Sequence, residues 1–325
     1  MSEAIKTPVV SVIMSVYNAE KHLNKAIESI LDQTFTDFEF IIIEDCSTDN
    51  SLRIIEDYAS KDSRIHLIKK LENKGTAGFI ENLNIGIEKA NGRYIARMDA
   101  DDISFNTRFE KQINFLNNNP AIDLIGASIE LIDEKDQHIE IWKAIRHHND
   151  IVKRMPKNIS LYHPVIMFRK ESTKGYRSKA LFCEDYDMYF NMIFAGRKFA
   201  NLHEVLLKYR ILKTSISRKK NKFVRWLFVE KIRSFYNENV TKGFDSYSQF
   251  EPNDFIDILS LDYNNNLQDL LFALKSSIIF NTIEETDILL RKIKLQYPKQ
   301  NLLKYQLLNI LPFFVKKYLL KKYTK

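Results

Sequence analysis

At 325 residues, 45% hydrophobic and 28% charged, the chain has the composition of an ordinary globular protein and the length for one large domain plus a smaller one. Eight Gly and seven Pro against 22 Phe and 15 Tyr exclude a disordered chain, while Cys46 and Cys183 offer neither a disulfide framework nor zinc spacing. The net charge of +7 is uneven, −1 over residues 1 to 215 and +8 over 216 to 325, which argues for a neutral catalytic part and a basic attachment part rather than nucleic-acid binding.

The opening MSEAIKTPVV has no basic region or apolar core, so no signal peptide is predicted. No apolar run reaches the roughly 18 residues a spanning helix needs, and a cytoplasmic protein is expected. Val9 to Met14 predicts a first strand ending at Ser15, Val16, Tyr17 and Asn18, with Asn18 placed to cap the helix that follows. In that helix Leu23, Ala26, Ile27, Ile30 and Leu31 share one face. Phe38 to Ile43 predicts a second buried strand, closing in Glu44 and Asp45. A helix through Leu52, Ile55 and Tyr58, a strand near Ile65 to Ile68, and a helix with Ile80, Leu83 and Ile87 inward lead to Tyr94, Ile95 and Ala96. This alternation implies an α/β fold with a largely parallel sheet and ligands beyond the carboxyl ends of the strands.

The fourth strand runs into Asp99, Ala100, Asp101 and Asp102. Three carboxylates at one strand end repel each other unless a cation sits among them, and hard oxygen ligands suit Mg²⁺ or Mn²⁺ together with a diphosphate. For an isolated D-x-D, a solvated turn before the helix starting near Thr107 is the better reading. Glycine-rich phosphate loops are absent, so a metal on carboxylates would take their place. Further on, a helix through Phe109, Ile113 and Leu116, a strand over Leu124 to Ile132, an apolar stretch at Val165 to Phe168, a helix from about Phe182 to Ala195 and a last strand over Val205 to Leu212 are predicted. Helices follow around Phe223 to Phe235, Leu267 to Ile279 and Glu284 to Ile293, and from about Asn301. The domain boundary is expected near Ser215, giving 1–215 as the α/β domain and 216–325 as a basic helical region.

VSVIMSVYNAE (10–20), QTFTDFEFIIIEDCSTDNS (33–51), ENKGTAGFIENLNIGIEKANGRYIARMDADD (72–102), YHPVIMFRK (162–170), EDYDMY (184–189) and YRILKTSIS (209–217) stand in one order over the first two thirds of the chain. In these pieces the sequence resembles the inverting nucleotide-sugar transferases of glycosyltransferase family 2. The resemblance implies a GT-A fold in which one domain binds nucleotide and acceptor. It implies that Asp45 contacts a pyrimidine base, that Ser15 to Tyr17 line the nucleoside pocket, and that Asp99 and Asp101 lie by the ribose and the divalent metal, Asp101 as direct ligand. It makes Asp185, of the Glu184–Asp185 pair, the catalytic base. Many members carry a metal-binding histidine after Tyr-Arg-hydrophobic; here Leu212 occupies that position.

Read without the family, Asp185 is an ordinary cap for the helix through Met192, and His163 is a hydrogen-bonded structural residue more readily than a ligand. Lys74 beside Gly75 suits a phosphate or base contact about as well as a solvated loop. Cys46 and Cys183 are assigned no chemistry. The expected activity is transfer of a hexose from a UDP-sugar to a hydroxyl of a glycan or lipid-linked oligosaccharide acceptor, with inversion, in bacterial surface polysaccharide assembly. A catalytically degenerate nucleotide-sugar binder and a sugar-phosphate nucleotidylyltransferase are the alternatives. Finally, no acidic residue follows Asp287, whereas Arg291, Lys292, Lys294, Lys299, Lys304, Lys316, Lys317, Lys321, Lys322 and Lys325 are basic. With the stripe Leu303, Leu307, Ile310, Leu311, Phe314, Val315, Leu319 and Leu320, broken at Pro312, they predict peripheral attachment to an anionic membrane; packing of that stripe on the protein is the competing expectation.

Overall fold

Apolar runs too short for helices and rich in β-branched residues build the centre of this protein. A computed structural model describes residues 7–212, 222–311 and 315. The chain divides into two compact units, Met1–Ser178 with Glu184–Ser215, and Lys179–Cys183 with Ile216–Lys325. Ser215, where the boundary was expected, lies outside the described residues.

In the first unit, β1 (Val10–Val16), α1 (Glu20–Leu31), β2 (Phe38–Glu44), α2 (Ser51–Lys61), β3 (Ile65–Lys69), α3 (Gly75–Lys89) and β4 (Tyr94–Asp99) alternate as predicted. These strands lie side by side in the order β3-β2-β1-β4, all parallel. Beyond β4 the sheet is mixed. β5 (Ile103–Ser104), α4 (Arg108–Asn118), β6 (Leu124–Ile132), β7 (His138–Trp142), α5 (His148–Arg154), β8 (Met167–Arg169), α6 (Glu184–Phe194) and β9 (Phe199–Arg210) complete the unit. Antiparallel β8 joins β4 to β6, β9 runs parallel to β6, and β7 hangs on the outer end of β6.

Both faces of β1 and β2 are covered, which is why those strands read as unbroken apolar runs. On one face Leu23, Ala26, Ile27 and Ile30 of α1 and Phe109, Ile113 and Leu116 of α4 pack on Val12, Met14, Phe40 and Ala96. α3 covers the other face, and Gly86 is where it comes nearest: a Cβ there would stand 2.4 Å from Ile13 Cγ2.

The structure corrects two expectations and supplies elements for two stretches where none was predicted. Asn18 does not cap α1; it sits at φ 48°, and its carboxamide oxygen accepts from Thr48 N–H at 2.8 Å, tying the loop after β1 to the loop after β2. The last strand begins at Phe199 rather than Val205. β7 and α5 occupy a stretch the sequence left irregular. The apolar Val165 to Phe168 divides between a 3₁₀ turn, His163–Val165, and β8.

The second unit contains α7 (Lys222–Lys242), α8 (Pro252–Ile256), α9 (Leu267–Phe280), α10 (Ile283–Gln296) and α11 (Leu303–Ile310). Its core is aromatic, with Phe228, Phe235, Phe250 and Phe255 meeting edge to face. Lys292, counted above among the membrane-facing cations, is fully buried and donates to the carbonyls of Asp257, Ile258 and Ser260. It ties α10 to the loop after α8 and is unavailable to a membrane. Among the described residues no helix is long and apolar enough to cross a bilayer.

Candidate active site

The registers of β1, β2 and β4 bring three polar strand ends together. Ser15 stands beside Ile43 of β2 and Asp99 of β4, and Val16 beside Glu44, so the residue after β2, Asp45, follows at the same level. Asp45 N–H donates to the Val16 carbonyl at 2.9 Å. Its carboxylate is 3% exposed and accepts from Asn73 Nδ2 at 3.0 Å. Burial raises the pKa of this carboxyl, against which the Asn82 amide and nearby Lys70 act. Asn82 donates to Ser15 Oγ at 3.0 Å and lies close enough to Asp45 to act on its carboxyl, whose Oδ1 has no hydrogen-bond partner among the described residues. Tyr17 is half exposed at the mouth of this group. Lys74 precedes α3, but its ammonium is paired with Glu72 at 3.2 Å and Glu81 at 3.4 Å, so a phosphate would have to compete for it.

Single ligand oxygens of Asp99, Asp101 and Asp102 lie within 4.8 Å of one another. Burial, and then the neighbouring Asp99, push Asp101 up to about 7; burial and Asp101 push Asp102 far above the usual carboxylate range. Asp102 is 1% exposed, accepts the Arg210 N–H at 2.8 Å on one oxygen and leaves the other without a partner. Arg210 also holds the Asp101 carbonyl through Nε at 2.7 Å, which fixes the acidic turn to the end of β9. Three hard oxygen donors, of which Asp101 and Asp102 have their ionisation opposed by burial, are a set a divalent cation fits, because its charge would offset that cost. Leu212, where the family resemblance would place a histidine, is described and half-buried, and supplies no ligand atom.

Asp185 lies in the first turn of α6, with one carboxylate oxygen accepting its neighbour Tyr186 N–H at 2.7 Å. Burial and the adjacent Asp185 raise Glu184 to about 8. Asp185 is raised by burial to about 6, held lower than its neighbour by the Tyr186 N–H and by the field of Arg97. The α6 start is anchored by Arg177, whose guanidinium donates from Nε to the fully buried Asp187 at 2.8 Å.

Sequence reasoning missed Arg97 and Tyr176. Arg97 is 3% exposed, forms an ion pair with Asp99, lies 5.5 Å from the centre of the Phe79 ring, and acts electrostatically on Asp101, Glu184 and Asp185 as well. The alternation of β4 could have found it, since residues 97 and 99 share a face. Tyr176 belongs to no motif. Its peptide is clamped by Asn84, which accepts its N–H and donates to its carbonyl, both at 2.8 Å. Its hydroxyl lies 2.8 Å from His163 Nε2. Burial, then the positive Arg97, drive the His163 pKa well below the usual value, so this ring is neutral and hydrogen-bonded, as its structural reading required.

The profile of the family described as Glycosyl transferase family 2 matches residues 11–177, just over half of the 325. An uncharacterised glycosyltransferase of Haemophilus influenzae is 36% identical over 216 residues, which are 63% of this chain and 66% of that relative. The O-antigen biosynthesis glycosyltransferase WbnJ of Escherichia coli is 36% identical over 211 residues, 62% of this chain and 80% of the relative. Among solved structures, S. aureus TarS 1-349 in complex with UDP-GlcNAc superposes with a TM-score of 0.63 at 15% identity, covering 96% of this chain and 91% of that one; this likeness is one of fold. Strand ends, acidic clusters and sequence relationship agree: the chain is a glycosyltransferase and belongs to glycosyl transferase family 2.

Proposed function

We propose that the protein transfers a hexose from a UDP-sugar to a hydroxyl of a glycan or lipid-linked oligosaccharide, with inversion, in the assembly of a surface polysaccharide. The observation that carries this reading is the gathering of two acidic groups, Asp99–Asp101 and Glu184–Asp185, in the field of one buried guanidinium, Arg97. The UDP donor is supported by the likeness to TarS, whose structure holds UDP-GlcNAc, and the polysaccharide setting by the relative named for O-antigen biosynthesis.

In this reading Tyr17, Ser15 and Asp45 receive the nucleoside, and Lys74 lies at the α3 start beside them. Asp101, with Asp99 next to it, would hold Mg²⁺ or Mn²⁺; when bound, that ion supplies charge neutralisation for the departing diphosphate. Asp185 takes the acceptor hydroxyl proton as that oxygen forms its bond to the anomeric carbon, and the bond to UDP breaks on the opposite face with UDP keeping the electron pair. Glu184, raised above neutrality, is protonated beside Asp185 and leaves it the ionised member of the pair.

Attachment to the inner face of the cytoplasmic membrane is proposed with it. Leu303, Leu307 and Ile310 of α11 are 59%, 53% and 78% exposed, an apolar row that among the described residues is not packed away. Pro312, Phe314, Leu319, Leu320 and the five lysines from Lys316 onward lie outside the described residues.

Incubating the purified protein with a UDP-sugar and Mn²⁺ tests the reaction class. Slow release of UDP is expected; pyrophosphate would indicate nucleotidyl transfer, and no product a degenerate binder.

A further inference from the structure

Trp142 closes β7 with its ring in the open. It is 40% exposed, and its one polar atom is already used, Nε1–H donating to Glu140 Oε1 at 2.6 Å. Beside it stands Tyr162, half-buried, with ring centres 5.8 Å apart and planes tilted by 38°. Tyr162 packs against the core of the first unit, whereas Trp142 does not: among the described residues β7 pairs only with β6, and all five of its residues are exposed.

The topology sets this pair at the catalytic end of the sheet. β6 runs in the direction of β4, because antiparallel β8 lies between them, so the carboxyl-terminal half of β6 is level with the acidic end of β4. Trp142 pairs with Ile129 in that half. Tyr162 immediately precedes His163, whose ring meets Tyr176, and Tyr176 in turn lies in the fields of Arg97, Glu184, Asp185 and Asp99. Sequence adjacency, one hydrogen-bonded ring pair and an electrostatic coupling thus link the aromatic pair to the proposed base.

We infer that Trp142 and Tyr162 form a platform on which a sugar ring of the acceptor stacks, one subsite out from the hydroxyl that Asp185 deprotonates. This rests on the glycosyl-transfer reading and deepens it. The chemistry on the page fits a saccharide better than a protein surface. A pyranose presents a flat row of C–H bonds to an aromatic face and hydroxyls at its edge. Here an indole that is 40% exposed stands beside a half-buried phenol, and hydrogen-bonding groups lie around them, Glu140 at the indole edge, Glu130 with His138, and Arg154 near Tyr162. A partner protein would instead use the free outer edge of β7 and the exposed Ile139 and Ile141.

The chain has two tryptophans, and the other, Trp226, is packed on Phe280 in the second unit. In a Trp226→Phe variant Trp142 is the one remaining tryptophan, so selective indole excitation reads its emission apart from that of the 15 tyrosines. Titration with the methyl β-glycosides of lactose, cellobiose and chitobiose at millimolar concentration should shift or quench that emission for at least one of them, with UDP alone leaving it unchanged. Trp142→Ala should then raise the KM for that saccharide as acceptor by roughly tenfold, against a donor KM that moves far less, and Trp142→Phe, which keeps a ring, should recover part of the loss. If the unmodified enzyme releases no UDP from any UDP-sugar, the reading of the function falls, and this one with it. If UDP release stands but no saccharide changes the emission, or Trp142→Ala moves both KM values alike, this inference alone is overturned. Emission that follows protein concentration rather than saccharide would assign β7 to contact between copies and would also overturn it.

Discussion

Asp185 illustrates how a side chain whose neighbours in sequence suggest only a helix cap can acquire a different chemistry from its surroundings. Burial lifts it to about 6, the range in which a carboxylate is both ionised at neutral pH and basic enough to take a proton. The sign follows directly. Because a base must be charged to act, and the raised pKa of Asp185 means protonation sets in at higher pH than for a free aspartate, the proposed role predicts that transfer falls about tenfold per pH unit below about pH 6. A pH–rate profile measures this; a rate unchanged down to about pH 4.5 would mean that a carboxyl with an ordinary pKa, or none, governs the step. The same residue shows what the sequence could and could not convey. Position and acidity were legible in EDYDMY, but the environment that sets the ionisation is burial, followed by the Tyr186 N–H and the field of Arg97, which lies 88 residues away in the chain. Asn18 was misread for a related reason: a polar residue before a helix signals a cap only when no other loop competes for its oxygen, and here the Thr48 N–H does.

At the scale of elements, legibility followed burial. β1, β2 and β4, covered on both faces, announced themselves as apolar runs, and α1 and α4 through one-sided periodicity. β7 was passed over although Ile139 and Ile141 alternate with His138 and Glu140, because five residues that bury neither side give only a short, weak signal. The start of β9 was obscured by Asn201, His203 and Glu204, polar residues that a strand interior tolerates when, as with Asn201, the amide finds the carbonyls of Ile145 and Ser160. The α3–β1 contact gives a test of packing. Gly86→Ala would improve helix propensity by about 1 kcal/mol, yet its methyl would meet the 2%-exposed Ile13, which has nowhere to move. A net loss on the order of 1–3 kcal/mol in denaturant unfolding is expected, partly recovered in the Gly86→Ala/Ile13→Ala pair relative to Ile13→Ala alone. A stabilised Gly86→Ala would show that α3 stands further from the sheet.

For the whole molecule, charge asymmetry was legible and its use was not, since a count of lysines cannot tell a solvated one from Lys292, which is buried on three carbonyls. The remaining cations and the open row on α11 predict co-sedimentation with anionic vesicles, weaker in high salt and weaker still for a chain ending at Asn301. Equal binding of both chains, or indifference to lipid charge, would contradict attachment through this segment. The central claim is the division of labour in the first unit, with Asp185 as base and the strand ends as donor site. Its most direct measurement is Asp185→Asn, assayed in parallel for UDP-sugar binding by calorimetry and for transfer. The amide can still accept the Tyr186 N–H but not a proton, so binding within a few-fold of the parent and transfer lower by about 10²–10⁴ are predicted; transfer at near-parent rate, or loss of donor binding on the same scale as turnover, would contradict it.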